Sequence, residues 1–134
     1  MWHEWIREWF SLKFDHVLIT YIPNKDREGK EFDVEPWELD ALELQGRLFH
    51  GATSYPSRGS YRSIDTKGNI TAEVMVERTR MIVSFVGEND LTKKALAEIS
   101  DFLKKFGAET NQESVAFVID GEMFYIDISS KTKL

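Results

Sequence analysis

Residues 2–10 combine an aromatic stripe with a charged opposite side. Apolar side chains recur at i, i+3, i+4, i+7 and i+8, which predicts an amphipathic helix within residues 1–14. A helix of roughly two to three turns does not persist alone in water. Its aromatic side chains therefore need a surface, either on the same domain or on another chain, and we expect them to form an interface. The stripe consists of Trp2, Trp5, Ile6, Trp9 and Phe10.

The next two elements are separated by a charged segment over residues 24–30. Val17–Ile22 is apolar and rich in β-branched residues, which predicts a central strand buried on both faces. Pro36 suits the first turn of a helix that we expect to run to about His50, with Gly51 as its stop signal. Its apolar stripe contains Trp37, Ala41, Leu44 and Leu48.

The middle of the chain, residues 52–86, contains turn residues and strand patterns that are less regular than the helix stripes. We predict a strand or irregular segment around residues 60–64 and a turn at residues 65–68. A strand with clean apolar alternation follows from Ile70. It becomes a continuous apolar run at residues 81–86, which predicts a bulge or break near residues 77–80.

The last third predicts a helix and a hairpin. Asp90 is a plausible cap and Gly107 a plausible stop for the helix. Asp120-Gly121 is a strong two-residue hairpin signal between strands at residues 115–119 and 123–128. The helix stripe consists of Leu91, Ala95, Ile99, Phe102 and Phe106.

This order of elements predicts an α+β fold in a single domain, residues 1–134. The core at residues 15–128 fits a ferredoxin-like β-α-β-β-α-β arrangement, an antiparallel sheet with two helices on one face. The helix in residues 1–14 and the C-terminal β-hairpin are additions, and residues 129–134 form a frayed tail. The second face of the sheet needs a cover, either the first helix or a second subunit.

Composition narrows the function classes. The chain has 134 residues and no cysteine, which excludes a disulfide scaffold, a thiolate nucleophile and cysteine-built metal sites. It has no apolar run of the roughly 20 residues that a membrane span requires. Its N-terminus has an acid where a signal peptide needs basic residues. We therefore expect a cytoplasmic protein.

The charge is unevenly distributed. The formal net charge is −6, which disfavours binding to nucleic acid. Residues 47–80 nevertheless carry six cations and three acids, whereas the segments on either side are acidic. Five of these cations are arginines, whose planar forks suit carboxylates and phosphates. They either pair with acidic parts of the same or another chain, or they bind an anion.

The segment 50–62 is rich in hydroxyl groups and contains no acid. Its hydroxyl groups and arginines are suited to bind a phosphate or carboxylate ligand. The alternative is a polar connecting loop with its tyrosines in the core. It lacks a P-loop pattern, and the three histidines of the chain are widely spaced, so we expect no metal and no cofactor. The candidate ligand-binding residues are Arg58, Arg62, Thr53, Tyr61 and His50.

Two further polar groups are candidates for a pocket. Glu73 and Glu77 are four residues apart, which on a strand places them on one face, either for acid–base chemistry or a divalent cation, or as a solvated edge. Asn111 and Gln112 lie in the polar connector before the last hairpin and are positioned to close one side of a pocket with the 50–62 segment.

Three stretches resemble small bacterial and phage-type proteins with a ferredoxin-like domain. They are Gly51-Ala52-Thr53 with Gly59-Ser60-Tyr61-Arg62, then residues 107–112, then residues 115–125 around Asp120-Gly121. The resemblance covers residues 17–128. It implies one domain and no particular activity.

These observations favour a small non-enzymatic accessory or interaction subunit. In that interpretation the protein is a homo-oligomer or docks on a larger protein through its aromatic helix and the sheet. The alternative is a small enzyme or sensor that binds an anionic ligand at the 50–62 segment. A nucleic-acid binder is the least favoured of the three, because only the middle third is basic.

Overall fold

A computed structural model describes residues 1–9, 13–62 and 73–128 of the chain. Three α-helices, five strands and one 3₁₀ turn follow each other along these residues. They are α1 (Trp2–Trp9), β1 (His16–Pro23), α2 (Glu35–Phe49), β2 (Thr53–Tyr61), β3 (Met75–Val86), the 3₁₀ turn (Glu88–Asp90), α3 (Lys93–Glu109), β4 (Ser114–Ile119) and β5 (Glu122–Asp127).

The five strands form one antiparallel sheet in the order β2-β3-β1-β4-β5. β1 is central, and its Ile19 pairs with Val83 of β3 on one side and Val118 of β4 on the other. The predicted α+β class and the central position of the first strand are confirmed. The Asp120-Gly121 hairpin is also present, with positive φ at both turn residues.

One face of the sheet carries the hydrophobic core. Leu18 and Ile22 of β1 and Ile82 of β3 are fully buried on this face. Both long helices contribute their apolar stripes to the same core cluster, including Phe49 of α2 and Phe106 of α3. Fully burying side chains of this kind stabilises the fold by about 1.5–3 kcal/mol each.

A polar network lies inside this core and joins α2 to the sheet. The Gln45 amide accepts a hydrogen bond from Thr20 Oγ1 at 2.5 Å and donates to Ser84 Oγ at 3.1 Å. It also donates to the carbonyl oxygen of Ile82 at 3.1 Å, and the Ser84 hydroxyl donates to the carbonyl oxygen of Gly51 at 2.7 Å. Because its groups are paired, the network avoids the cost of burying polar atoms.

The opposite face of the sheet is open over the described residues. Val17, Ile19 and Tyr21 alternate with the buried positions of β1 and are only half-buried. Phe85, which pairs with Val17, is 59% exposed. The prediction that both faces of β1 are fully buried is therefore wrong for this second face, which is a surface.

The segment predicted as a connecting loop at residues 50–62 is largely strand. β2 runs over nine residues, because its backbone pairs with β3 from Thr53 opposite Val83 to Tyr61 opposite Met75. β3 is continuous through residues 77–80, where a break was predicted. The predicted turn at residues 65–68 and the start of the next strand at Ile70 lie outside the described residues.

The ends of α3 also differ from the prediction. Its N-cap is Thr92, whose hydroxyl accepts a hydrogen bond from the Ala95 N–H at 3.1 Å, whereas Asp90 belongs to the preceding 3₁₀ turn. Gly107 lies inside the helix. A Cβ at this position would be 2.6 Å from Cγ1 of Ile128, so this glycine allows a close approach between α3 and the end of β5.

The N-terminal helix is present, and its aromatic stripe faces outward. Within Trp2–Trp9 no residue is buried, and Trp2, Trp5 and Trp9 are 59%, 54% and 69% exposed. Phe10 lies outside the described residues. The role of this stripe as an interface stays a prediction.

Candidate functional site

A cleft of about 230 Å³ opens on the uncovered face of the sheet, at the end where β1 stops. The ladder between β1 and β3 ends with Pro23 opposite Thr79, whereas β2 and β3 continue together to Tyr61 and Met75. This difference in strand length leaves a space beyond β1. The loop after β1 and the segment before β4 close its sides.

The walls of the cleft combine aromatic and apolar groups with carboxylates. Tyr21 and Tyr125 supply aromatic rings, and Met75 and Met123 supply flexible apolar side chains. Such a mixture of apolar walls and a few polar groups is typical of small-molecule sites.

A hydrogen bond joins the two sides of the cleft. The Tyr61 hydroxyl at the end of β2 donates to the carboxylate of Glu113, which directly precedes β4. β3 and β1 lie between β2 and β4 in the sheet, so this bond spans the cleft from an outer strand to the far side of the central one. It fixes the orientation of the Glu113 carboxylate within the cleft.

Glu77 places a second carboxylate in the cleft. Burial raises the pKa of Glu77 above its usual value, and the nearby Lys25 ammonium lowers it by a smaller amount. Among the described residues, no side chain donates a hydrogen bond to this carboxylate. A half-buried carboxylate without such a partner is a candidate to bind a cationic group of a ligand.

The loop after β1 is held firmly against the segment before β4. Arg27 Nη2 donates to the carbonyl oxygen of Gln112 at 2.6 Å, and the buried Gln112 amide donates to the carbonyl oxygen of Lys25 at 3.0 Å. Within the loop, Asp26 accepts from the N–H groups of Glu28 at 2.8 Å and Lys30 at 2.9 Å.

The carboxyl group of Asp26 belongs to the same cleft. Burial acts to raise the pKa of Asp26, but the N–H groups of Lys30 and Glu28 more than offset it, so the pKa lies below its usual value. The loop therefore presents a preorganised, ionised carboxylate at this wall of the cleft.

The structure separates the candidate residues of the 50–62 segment. Thr53 and Tyr61 stand at opposite ends of β2, which corresponds to about 26 Å along an extended strand. His50 pairs with Asp90 at 3.1 Å at the far end, and Arg58 is exposed in the strand opposite Arg78. Arg62 directly follows β2. Of the five, Tyr61 lies in the cleft.

Other sequence-based candidates do meet there. Gln112 lines the cleft together with Gly59, Ser60 and Tyr61, so it does share a pocket with the 50–62 segment as predicted. Asn111 lies outside the cleft. Glu77 was indicated by its spacing from Glu73. Glu113 was missed, because its partner Tyr61 is 52 residues away and no local pattern links them.

A separate titratable cluster lies at the opposite end of β1. His16 Nδ1 is 2.7 Å from Asp120 Oδ2, and His16 Nε2 hydrogen-bonds Glu88. The hydrogen bonds to Glu88 and Asp120 raise the pKa of His16 to about 9. The bond from His16, with one from the Val17 N–H, lowers the pKa of Asp120. This cluster ties three chain segments together and is remote in the sheet from the cleft.

Two classes of site are not found in the described part of the chain. Residues 1–9, 13–62 and 73–128 contain no group of three or more His, Asp or Glu side chains placed to hold a metal ion. None of the helices described is long and apolar enough to cross a membrane.

No protein-family model and no curated protein matches this sequence. Among solved structures, the fold matches a phage SAM lyase in complex with S-methyl-5′-thioadenosine, with a TM-score of 0.62 and 16% sequence identity, covering 88% of this chain and 95% of the other. It also matches a phage SAM lyase in its apo state, with a TM-score of 0.57 and 17% identity, covering 84% and 89%. The chain shares its fold with these enzymes.

These matches correct the leading interpretation of the sequence. A non-enzymatic accessory subunit is contradicted, because the structural neighbours are enzymes and one of them holds a small ligand. They fit the alternative, a small enzyme or sensor, better than an accessory subunit. The exposed aromatic helix dominates the sequence pattern, whereas the cleft is assembled from residues far apart in the chain.

Proposed function

We propose that this protein is an enzyme that cleaves S-adenosylmethionine and releases S-methyl-5′-thioadenosine from the cleft at the end of β1. The observation that carries the proposal is a cleft lined by carboxylates and tyrosine rings in a fold shared with phage SAM lyases. The substrate has matching chemistry, since it carries a sulfonium, an ammonium group and an adenine ring.

The cleft offers partners for the ammonium group and the adenine ring. Glu77 and Glu113 bind the ammonium group, because carboxylates accept strong charge-assisted hydrogen bonds from it and it keeps its charge during the reaction. The rings of Tyr21 and Tyr125 provide faces on which an adenine can stack.

The reaction breaks the bond between the sulfonium sulfur and Cγ of the amino-acid part. The sulfur keeps the electron pair and becomes the neutral thioether of S-methyl-5′-thioadenosine. The carboxylate of the same substrate forms the new bond to Cγ and closes a five-membered lactone, so neither water nor a protein base is consumed. The protein's task is to hold the chain in a folded geometry in which the carboxylate reaches Cγ, which is catalysis by orientation.

The test is to incubate the purified protein with S-adenosylmethionine and to follow S-methyl-5′-thioadenosine by liquid chromatography and mass spectrometry. We expect Glu77→Gln and Glu113→Gln each to lower kcat/KM about tenfold or more, since a charge-assisted contact contributes about 1.5–3 kcal/mol. Glu73→Gln is the matched control, because Glu73 is exposed and lies outside the cleft. Wild-type protein that releases no thioether product would reject the proposal.

We also interpret the sheet as a ferredoxin-like core extended by one strand. The order β2-β3-β1-β4, with α2 and α3 each connecting two of these strands, supports this interpretation. In it, β5 is an added edge strand and α1 an N-terminal addition.

A further inference from the structure

Two arginines face each other on the helix-covered side of the sheet, away from the cleft. Arg58 of β2 and Arg78 of β3 are register partners, and both are exposed. Like charges directly opposite each other on neighbouring strands are destabilising. A negatively charged ligand at this position would relieve the repulsion between them.

No ion pair compensates the two arginines within the part of the chain described. Neither guanidinium forms an ion pair there within 4.0 Å, whereas Arg80, the next residue on the same face of β3, pairs with Glu38 at 3.3 Å. The difference separates Arg80, which has a structural partner, from the two that lack one.

A third cation completes the cluster. Lys25 Nζ donates to the carbonyl oxygen of Val76 at 2.8 Å, which fixes the ammonium group beside β3. Lys25, Arg58 and Arg78 line a shallow cavity of about 380 Å³. The cavity thus has three cations on three different chain segments, which we call the basic pocket.

Two acids border the basic pocket. Glu31 pairs with Lys25 across an isolated β-bridge, and its carboxylate lies 3.5 Å from the Asn24 amide nitrogen, so this acid stands at the Lys25 side of the pocket. Glu77 alternates with Arg78 along β3, so its side chain points to the face of the cleft, but it borders both cavities and interacts with the Lys25 ammonium. The lining therefore carries three cations against two acids, and both acids are associated with Lys25 rather than with the arginines.

We propose that the basic pocket binds a phosphate group, held by the two guanidinium forks and the Lys25 ammonium. Arginine forks match the oxygens of a phosphate in pairs, and an ammonium adds a point charge. The phosphate can be free or can be the terminal group of a phosphomonoester. The pocket opens on the other face of the sheet from the cleft, so its ligand is distinct from the substrate proposed above.

The experiment is to titrate the full chain with inorganic phosphate and, separately, with ribose 5-phosphate at constant ionic strength, following backbone amide shifts by NMR. Ribose 5-phosphate lacks a base, so it does not report on an adenine site. We expect saturable shifts around residues 25, 58 and 78, and about tenfold weaker binding for Arg58→Gln and Arg78→Gln. Arg47→Gln is the matched control, because Arg47 is exposed and pairs with Glu98 at 2.9 Å.

The two titrations distinguish a free phosphate ligand from a phosphomonoester. Binding of both probes supports a phosphomonoester ligand, and binding of inorganic phosphate alone supports a free anion. Absence of saturable shifts with either probe, or equal affinity in Arg58→Gln and wild type, would overturn the proposal.

Stability gives an independent readout. Without phosphate, removal of one arginine of the pair is expected to leave the melting temperature unchanged or higher, because a like-charge contact is lost. A melting temperature several degrees lower in both variants would show that these arginines have structural partners, and would also overturn the proposal. Neither result bears on cleavage of S-adenosylmethionine.

Discussion

The two faces of the sheet differ in burial: one is covered by two helices and the other is open. On the covered face, Leu18, Ile22 and Ile82 are fully buried under α2 and α3. On the open face, the alternating residues Val17, Ile19 and Tyr21 of β1 are half-buried, and the cleft with Glu77 forms there. A side chain that does not have to fill a core is free to meet a ligand, so the comparison places the hydrophobic core on one face and the proposed substrate cleft on the other.

Two positions on β3, one on each face of the sheet, provide the sharpest test of this comparison. Ile82 is fully buried on the covered face, and Phe85 is 59% exposed on the open face. We expect Ile82→Ala to lower the free energy of unfolding by about 2–5 kcal/mol through lost burial and a cavity. Phe85→Ala is expected to change it by less than about 0.5 kcal/mol. Urea unfolding of both variants measures the difference, and similar losses would mean that the open face is covered in solution.

Two helical glycines test whether packing on the covered face is as tight as described. A Cβ on Gly107 would lie 2.6 Å from Ile128 Cγ1, so Gly107→Ala is expected to cost about 1–3 kcal/mol of stability. Gly46 in α2 has no atom within 4 Å of such a Cβ, so Gly46→Ala should instead stabilise the protein by about 0.5–1 kcal/mol. Thermal unfolding of the two variants is the measurement, and a Gly107→Ala variant at least as stable as the wild type would contradict the close approach of α3 to Ile128.

The smallest expected effect lies at the end of β1 remote from the cleft, where His16 contacts Glu88 and Asp120. The pKa of His16 is raised from 6.5 to about 9, so the folded protein holds this proton more tightly than the unfolded chain. The resulting stability is fully present below pH 6.5 and is lost as the pH rises towards 9.

Melting temperatures of wild type and His16→Gln across this range measure the effect. Their difference should shrink as the pH rises. Parallel curves would show that the His16 cluster adds no pH-dependent stability.

The sequence predicts the covered face better than the open one, for a physical reason. The stripes of α2 and α3 and the run at Val17–Ile22 are local patterns, and burial against one core imposes them directly. β2 was only partly anticipated, because its serines, glycine and proline have low strand propensity. Pairing along the full length of β3 overrides that preference.

The site was harder to predict than the fold. Glu77 and Gln112 were visible as polar residues in suggestive places, but their meeting with Tyr61 depends on strand order and on where β1 ends. The Tyr61–Glu113 bond joins residues 52 positions apart. Such a contact has no periodic signature. Composition drew attention instead to the arginines, of which Arg58 lies on the opposite face, in the basic pocket.

The network around Gln45 has a consequence for the uniqueness of the fold. Its amide, the Thr20 and Ser84 hydroxyls and the Gly51 carbonyl match only when α2 sits at one axial position on the sheet. A helix shifted along its axis would leave these groups unpaired in an apolar interior, at about 1–3 kcal/mol for each. An all-apolar contact would tolerate such sliding more readily. The network thus enlarges the energy gap between the native packing and its near neighbours, so the sheet below, including the cleft on its other side, keeps a single shape.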